Sequence, residues 1–113
     1  MAFLADIHGN LSALDSVLRT LKDREISDVY VAGDLLLGGE DPLGVWQRLQ
    51  GVGARCVRGL TDTALAAVDL ERVEAPDGQG SSERLARFIA TREAVGELTL
   101  ECIRRLPERL RIP

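Results

Sequence analysis

The chain opens with Ala2-Phe3-Leu4-Ala5-Asp6-Ile7-His8-Gly9-Asn10, a short apolar run that ends in polar residues. The first four of these residues are apolar without alternation, which is typical of strands buried in parallel sheets. Asp6 and His8 follow this run directly, and Asp34 follows a second apolar run after Gly33. Because ligands of open α/β sheets bind at the carboxyl ends of the strands, we expect these metal-ligating side chains to converge at one sheet edge.

The predicted elements alternate between strands and helices through the first half of the chain. Asn10 is a suitable N-cap for the first helix, and Asp41 followed by Pro42 suits the start of the second. The other boundaries follow from apolar periodicity and from Gly and Pro breaks, with an exposed loop over residues 71–82. The predicted strands are Ala2–Ala5, Asp28–Ala32, Ala54–Arg58 and Arg109–Ile112, and the predicted helices are Leu11–Lys22, Pro42–Gln50, Thr61–Val68, Ser82–Val95 and Thr99–Leu106.

This order of elements predicts an α/β fold with a parallel or mixed sheet of about four strands flanked by helices. The length of 113 residues predicts a single domain over residues 1–113. Parallel sheets are normally covered on both faces, and the early helices can cover only one. If the later helices leave the other face open, an apolar surface remains for a partner. We therefore expect a homodimer through an exposed sheet face, or the front half of a longer chain.

Composition excludes several classes of function. The net charge is −4 and aromatic residues make up 4% of the chain, so neither a basic footprint nor a base-stacking surface for nucleic acid is expected. No apolar run is long enough for a membrane span, and no secretion signal is recognisable. Cys56 and Cys102 lack metal-binding or redox spacing and are expected to be free, buried thiols. These features predict a cytoplasmic protein.

The motif Asp6-Ile7-His8-Gly9-Asn10, followed by Gly33-Asp34, resembles the opening of the calcineurin-like metallophosphoesterases, specifically their small bacterial and archaeal phosphodiesterase branch. The resemblance covers nearly all of this chain but only about the first half of a typical member. It implies half of an α/β/β/α sandwich and metal-dependent hydrolysis of phosphoesters, with phosphodiesters foremost. In the family, two divalent metals activate a water for in-line attack. By resemblance, Asp6 and His8 hold the first metal and Asp34 bridges both.

The third motif of that family, Gly-Asn-His-Asp or Gly-Asn-His-Glu, is degenerate here. The corresponding residues are Gly59-Leu60-Thr61-Asp62, so Leu60 replaces a metal ligand and Thr61 replaces the histidine that assists the leaving group. His8 is the single histidine of the chain. We therefore expect at most one Mn, Fe, Zn or Mg ion per chain and weak or absent catalysis. Asp62 is expected to cap the following helix rather than to replace the missing ligand.

Other residues near the motifs suggest contacts with a phosphate ester or nucleotide. Gly9 and Asn10 are expected first of all to form a tight turn and a helix cap, and the free N–H groups at the start of that helix also favour anions. Arg58 at the end of the third predicted strand is a further candidate for a phosphate contact, or else a solvated charge.

Three alternatives to a degenerate hydrolase remain open at this stage. The first is a non-catalytic module that binds a phosphate, a nucleotide or a partner protein. The second is an enzyme whose site is completed by another subunit, which would bring two copies of His8 together. The third is an unrelated flavodoxin-like or receiver-like domain, which fits the element order but does not explain His8-Gly9-Asn10.

Overall fold

The computed structural model describes residues 1–67 and 79–112. Strands and helices alternate up to α3, after which one long helix follows. The elements are β1 (Ala2–Leu4), α1 (Leu11–Asp23), β2 (Val29–Val31), α2 (Pro42–Gly51), β3 (Arg55–Cys56), α3 (Leu60–Ala67) and α4 (Gln79–Arg104).

The three strands form one parallel sheet in the order β1-β2-β3. The predicted α/β class is therefore confirmed, whereas residues 1–67 and 79–112 form three strands instead of the expected number of about four. The missing strand is the one predicted over Arg109–Ile112, which has no strand structure. The segment just before Arg109 nevertheless lies beside the end of β3, because the N–H of Arg58 donates to the carbonyl of Pro107 at 2.9 Å. A single main-chain bond next to Pro107, which has no N–H, does not start a ladder.

Both predicted helix caps are present, and they fix how the chain leaves the sheet. Asn10 accepts a hydrogen bond from the N–H of Ala13 at 3.1 Å, and Asp41 accepts one from Gly44 at 2.8 Å. Pro42 lies in the first turn of α2, where its missing N–H leaves no bond unmade. The loops before α1 and α2 therefore end at defined residues, and these loops carry the candidate ligands.

The two helices predicted near the carboxyl end form one element, α4, with a kink inside it. Gly96 has φ 80° and ψ 166°, which no helical residue adopts, so the predicted break between Val95 and Thr99 is confirmed. The start of α4 at Gln79 lies inside the predicted loop, while Val68 and residues 71–78 lie outside the described residues. No helix among the described residues is long and apolar enough to cross a membrane.

The described part of the chain packs its helices on one face of the sheet and leaves much of the other face exposed. Val29 and Val31 of β2 are buried in the core together with residues from every helix. The alternate residues form a row across the opposite face, because Phe3 pairs in register with Tyr30, and Tyr30 with Arg55. Phe3 is 61% exposed. The single core therefore lies between the sheet and one helical layer.

The two cysteines differ in their surroundings. Cys56 is buried in β3, and this burial raises the pKa of its thiol to about 11, with the charge of Asp62 acting in the same direction. Cys102 is exposed on α4, so the prediction that both thiols are buried is wrong for this residue. The helical pattern places it one residue before the buried Ile103, on the outer side of α4.

Candidate metal centre

Two turns at the carboxyl ends of β1 and β2 carry the predicted ligands. Asp6, His8 and Asp34 have φ values of 56°, 48° and 55°, and Glu25 is the one other non-glycine residue with positive φ among the described residues. This left-handed conformation is uncommon outside glycine and persists only where the surroundings enforce it. Here the turns bind each other, since His8 N–H donates to the carbonyl of Asp34 at 3.0 Å.

The turn geometry brings the three predicted ligands together. One carboxylate oxygen each from Asp6 and Asp34 and one ring nitrogen of His8 lie within 4.8 Å of one another. The side chains of Asp6 and His8 are 70% and 43% exposed, with 3.6 Å between Asp6 Oδ1 and His8 Nε2. Two carboxylates and one imidazole are a suitable donor set for Mn, Fe or Zn, and solvent can fill the open positions.

A main-chain carbonyl fixes the tautomer of His8. Its Nδ1 lies 3.1 Å from the carbonyl oxygen of Leu37, which can only accept, so Nδ1 carries the proton. In the neutral ring, the lone pair is then on Nε2, the nitrogen that lies 3.6 Å from Asp6 Oδ1. This arrangement is the usual one for metal-binding histidines, whose second nitrogen donates to a carbonyl or carboxylate.

The carboxylate of Asp34 is held by Thr61 at the start of α3. The hydroxyl of Thr61 donates to Asp34 Oδ1 at 2.7 Å, and the N–H of Thr61 donates to the same oxygen at 3.1 Å. The Thr61 hydroxyl lowers the pKa of Asp34 below its usual value, its N–H and the charge of His8 act in the same direction, and partial burial opposes them. Asp34 is therefore ionised at neutral pH, as a cation ligand must be.

Asp62 has a role that the sequence did not reveal. It is fully buried, and its carboxylate accepts main-chain N–H bonds from Asp34 at 2.8 Å, Leu35 at 2.9 Å and Gly59 at 2.9 Å. Burial raises the pKa of Asp62, while these N–H donors lower it. The expectation that Asp62 caps α3 is confirmed in part, because it accepts the N–H of Gly59 just before that helix. Its two other partners lie on the turn after β2. The carboxylate ties that turn to the turn after β3.

Two close approaches between main chains require glycine. A Cβ at Gly39 would lie 2.1 Å from the carbonyl carbon of Gly9 and 2.2 Å from the carbonyl oxygen of His8. A Cβ at Gly33 would lie 2.6 Å from the Cα of Gly59. Apart from its place in a glycine-rich loop, nothing in the sequence signals this role of Gly39, because Gly9, against which it packs, is 30 positions away.

The remaining predicted site residues lie beside this centre without joining it. Leu60 is 84% exposed at the first position of α3, so it offers neither a ligand nor a core contact. The N–H of Gly9 donates to the carbonyl of Leu35 at 2.8 Å, and the side chain of Asn10 caps α1. Arg58 binds the carboxylate of Glu108 at 3.0 Å. Because protein groups engage all three proposed phosphate contacts, phosphate binding by Gly9, Asn10 and Arg58 stays a prediction without added support.

Comparisons with known proteins support the fold but name no activity. No family model matches the chain, and no curated protein matches it. Among solved structures, the chain is similar to the crystal structure of a hypothetical protein from Pyrococcus horikoshii OT3, with a TM-score of 0.78 and 27% sequence identity. The match covers 95% of this chain and 47% of the other, so this chain spans about half the length of that protein.

Proposed function

We propose that the protein binds one divalent cation through Asp6, His8 and Asp34 and acts as a slow metal-dependent phosphoester hydrolase of the metallophosphoesterase type. The observation that carries this proposal is the fixed arrangement of the ligands. All three sit in left-handed conformations on two turns that hydrogen-bond to each other. Strained backbone of this kind is concentrated at functional sites, where the rest of the structure maintains it.

The described residues near the site could hold a cation, but they offer no proton donor for the leaving group. A divalent cation, when bound, polarises a phosphoryl oxygen and lowers the pKa of a coordinated water. The carboxylates of Asp6 and Asp34 would neutralise the charge of the cation, and His8 would coordinate it through the lone pair on Nε2. No described side chain near the site is suited to protonate the leaving group, since the Thr61 hydroxyl is committed to Asp34 and Leu60 is apolar. Activity is therefore expected to be low and greatest for esters with good leaving groups.

The first prediction concerns binding of Mn²⁺. Calorimetric titration of metal-free protein is expected to give one ion per chain, and Asp34→Asn is expected to weaken binding on the order of 100-fold, since it removes a charged ligand. Asp23→Asn is the matched control, because Asp23 is exposed at the end of α1 away from the cluster. Equal Mn²⁺ affinities of wild type and Asp34→Asn would refute the proposed metal centre. Slow hydrolysis of bis(p-nitrophenyl) phosphate by wild type with Mn²⁺, lost in Asp34→Asn, completes the test.

A second role, as an interaction module, is favoured by the open sheet face. Beside the row of Phe3, Tyr30 and Arg55 lies a hollow of about 440 Å³, into which the residues Leu110 and Ile112 also face. The rings of Phe3 and Tyr30 stack at 5.5 Å between centroids, and the Arg55 guanidinium lies 5.9 Å from the Tyr30 ring. A surface with an exposed Phe3, a half-buried Tyr30 and an exposed Arg55 suits contact with a protein surface.

We propose that a second copy of the chain covers this face. Size-exclusion chromatography with light scattering is then expected to give twice the chain mass of 12.3 kDa. Phe3→Glu is expected to give the monomer, because two carboxylates would be buried in the contact. Val52→Glu is the control, since Val52 is 40% exposed at the end of α2, outside the sheet face. A monomeric wild type would contradict the homodimer and leave the metal centre untouched.

A further inference from the structure

We propose that Thr61 is a positioning residue for Asp34, so that the degenerate third motif holds a cation ligand instead of supplying one. This inference rests on the proposed function, because Asp34 is a ligand only if the metal centre exists. It reverses the interpretation of Thr61 as a position that has merely lost its histidine. The start of α3 holds Asp34 in two ways, through its side chain and through its main chain.

The side chain of Asp34 is held through a single oxygen. Oδ1 accepts the Thr61 hydroxyl at 2.7 Å and the Thr61 N–H at 3.1 Å. An oxygen that accepts two such bonds has little capacity left for a cation, whereas Oδ2 of the same carboxylate keeps its lone pairs. Thr61 therefore determines which oxygen of Asp34 faces the centre and restricts rotation of the carboxylate.

The main chain of Asp34 is held by Asp62, the residue that follows Thr61. Asp62 accepts the N–H of Asp34 at 2.8 Å and that of Leu35 at 2.9 Å, which keeps Asp34 at φ 55°. Thr61 and Asp62 both belong to the first turn of α3. One helix turn thus fixes both the backbone and the carboxylate of a residue 27 positions earlier.

Loss of the Thr61 hydroxyl is expected to weaken cation binding without abolishing it. The Thr61 N–H remains, but its longer bond leaves the carboxylate free to rotate before the ion arrives. Residues that orient metal ligands contribute about 10–100-fold in affinity. We expect Thr61→Val to weaken Mn²⁺ binding about tenfold, at the lower end of this range, because one of the two donors is retained.

The experiment compares the Mn²⁺ affinities of five proteins by calorimetry, one of which is the Asp34→Asn variant of the first prediction. Thr61→Val should bind about tenfold more weakly than wild type, and Thr61→Ser, which keeps the hydroxyl, should bind within about twofold of wild type. Thr20→Val is the matched control, because it also removes a hydroxyl that donates a hydrogen bond, in this case to the main-chain carbonyl of Ser16 on α1 at 3.1 Å. Its affinity should equal that of wild type. Rescue by serine separates positioning from a general loss of packing.

The possible outcomes separate this inference from the proposed function. If wild type binds no better than Asp34→Asn, the metal centre itself is refuted. If wild-type binding depends on Asp34 while Thr61→Val binds equally tightly, the centre stands and the role of Thr61 is overturned. Circular dichroism checks that Thr61→Val is folded. If it is not, Thr61→Ala removes the hydroxyl without placing a methyl against the carboxylate, and the same tenfold loss is required of it.

Discussion

Asp62→Ala is expected to lower the free energy of unfolding by about 3 kcal/mol, because three main-chain N–H groups lose their acceptor at about 1 kcal/mol each. A loss of this size is a large share of the stability of a small domain. It corresponds to a melting temperature lower by roughly 10 °C or more. Thermal denaturation followed by circular dichroism measures it.

Two aspartate variants provide the scale for that result. Asp41→Ala removes one cap bond on α2, and a loss of about 1 kcal/mol is expected. Asp23→Ala alters an exposed carboxylate and should change little. Asp62→Asn should lose more stability than these two variants and less than Asp62→Ala. The amide keeps one acceptor oxygen, but its NH₂ group faces a main-chain N–H, which is also a donor. If Asp62→Ala and Asp23→Ala have the same melting temperature, the carboxylate of Asp62 does not join the turns after β2 and β3.

Gly39→Ala is expected to destabilise the protein by about 2–3 kcal/mol and to weaken Mn²⁺ binding at least about tenfold. The added Cβ would lie 2.1–2.3 Å from main-chain atoms of Gly9 and His8, none of which can move as a flexible side chain could. The two loops must therefore separate. His8 then loses its fixed distance to the carbonyl of Leu37, which sets its tautomer. Urea denaturation and Mn²⁺ calorimetry give the two numbers.

Gly51→Ala is the matched control for this substitution. Gly51 ends α2, and a Cβ there would meet no atom within 4 Å. Alanine is preferred over glycine in a helix by about 1 kcal/mol, so the control should be as stable as wild type or more so, with unchanged Mn²⁺ affinity. A Gly39→Ala variant that behaves like Gly51→Ala would mean that the loop after β2 does not support the turn that carries His8.

Three features could be predicted from the amino-acid sequence: the α/β class, the caps at Asn10 and Asp41, and the proximity of Asp6, His8 and Asp34. Each of these features depends on local information. Apolar runs mark strands, a cap needs only its own first turn, and residues directly after parallel strands meet at one edge whatever the details of packing.

Other features depend on contacts between distant residues and are visible only in the folded structure. The roles of Thr61, Asp62 and Gly39 depend on contacts between residues 27 to 31 positions apart, and no spacing rule links such positions. The expected fourth strand failed for the same reason, since a strand exists only where a neighbour pairs with it, and Arg109–Ile112 has no such ladder. The open row of Phe3, Tyr30 and Arg55 likewise depends on strand register, which brings distant alternate residues side by side on one face.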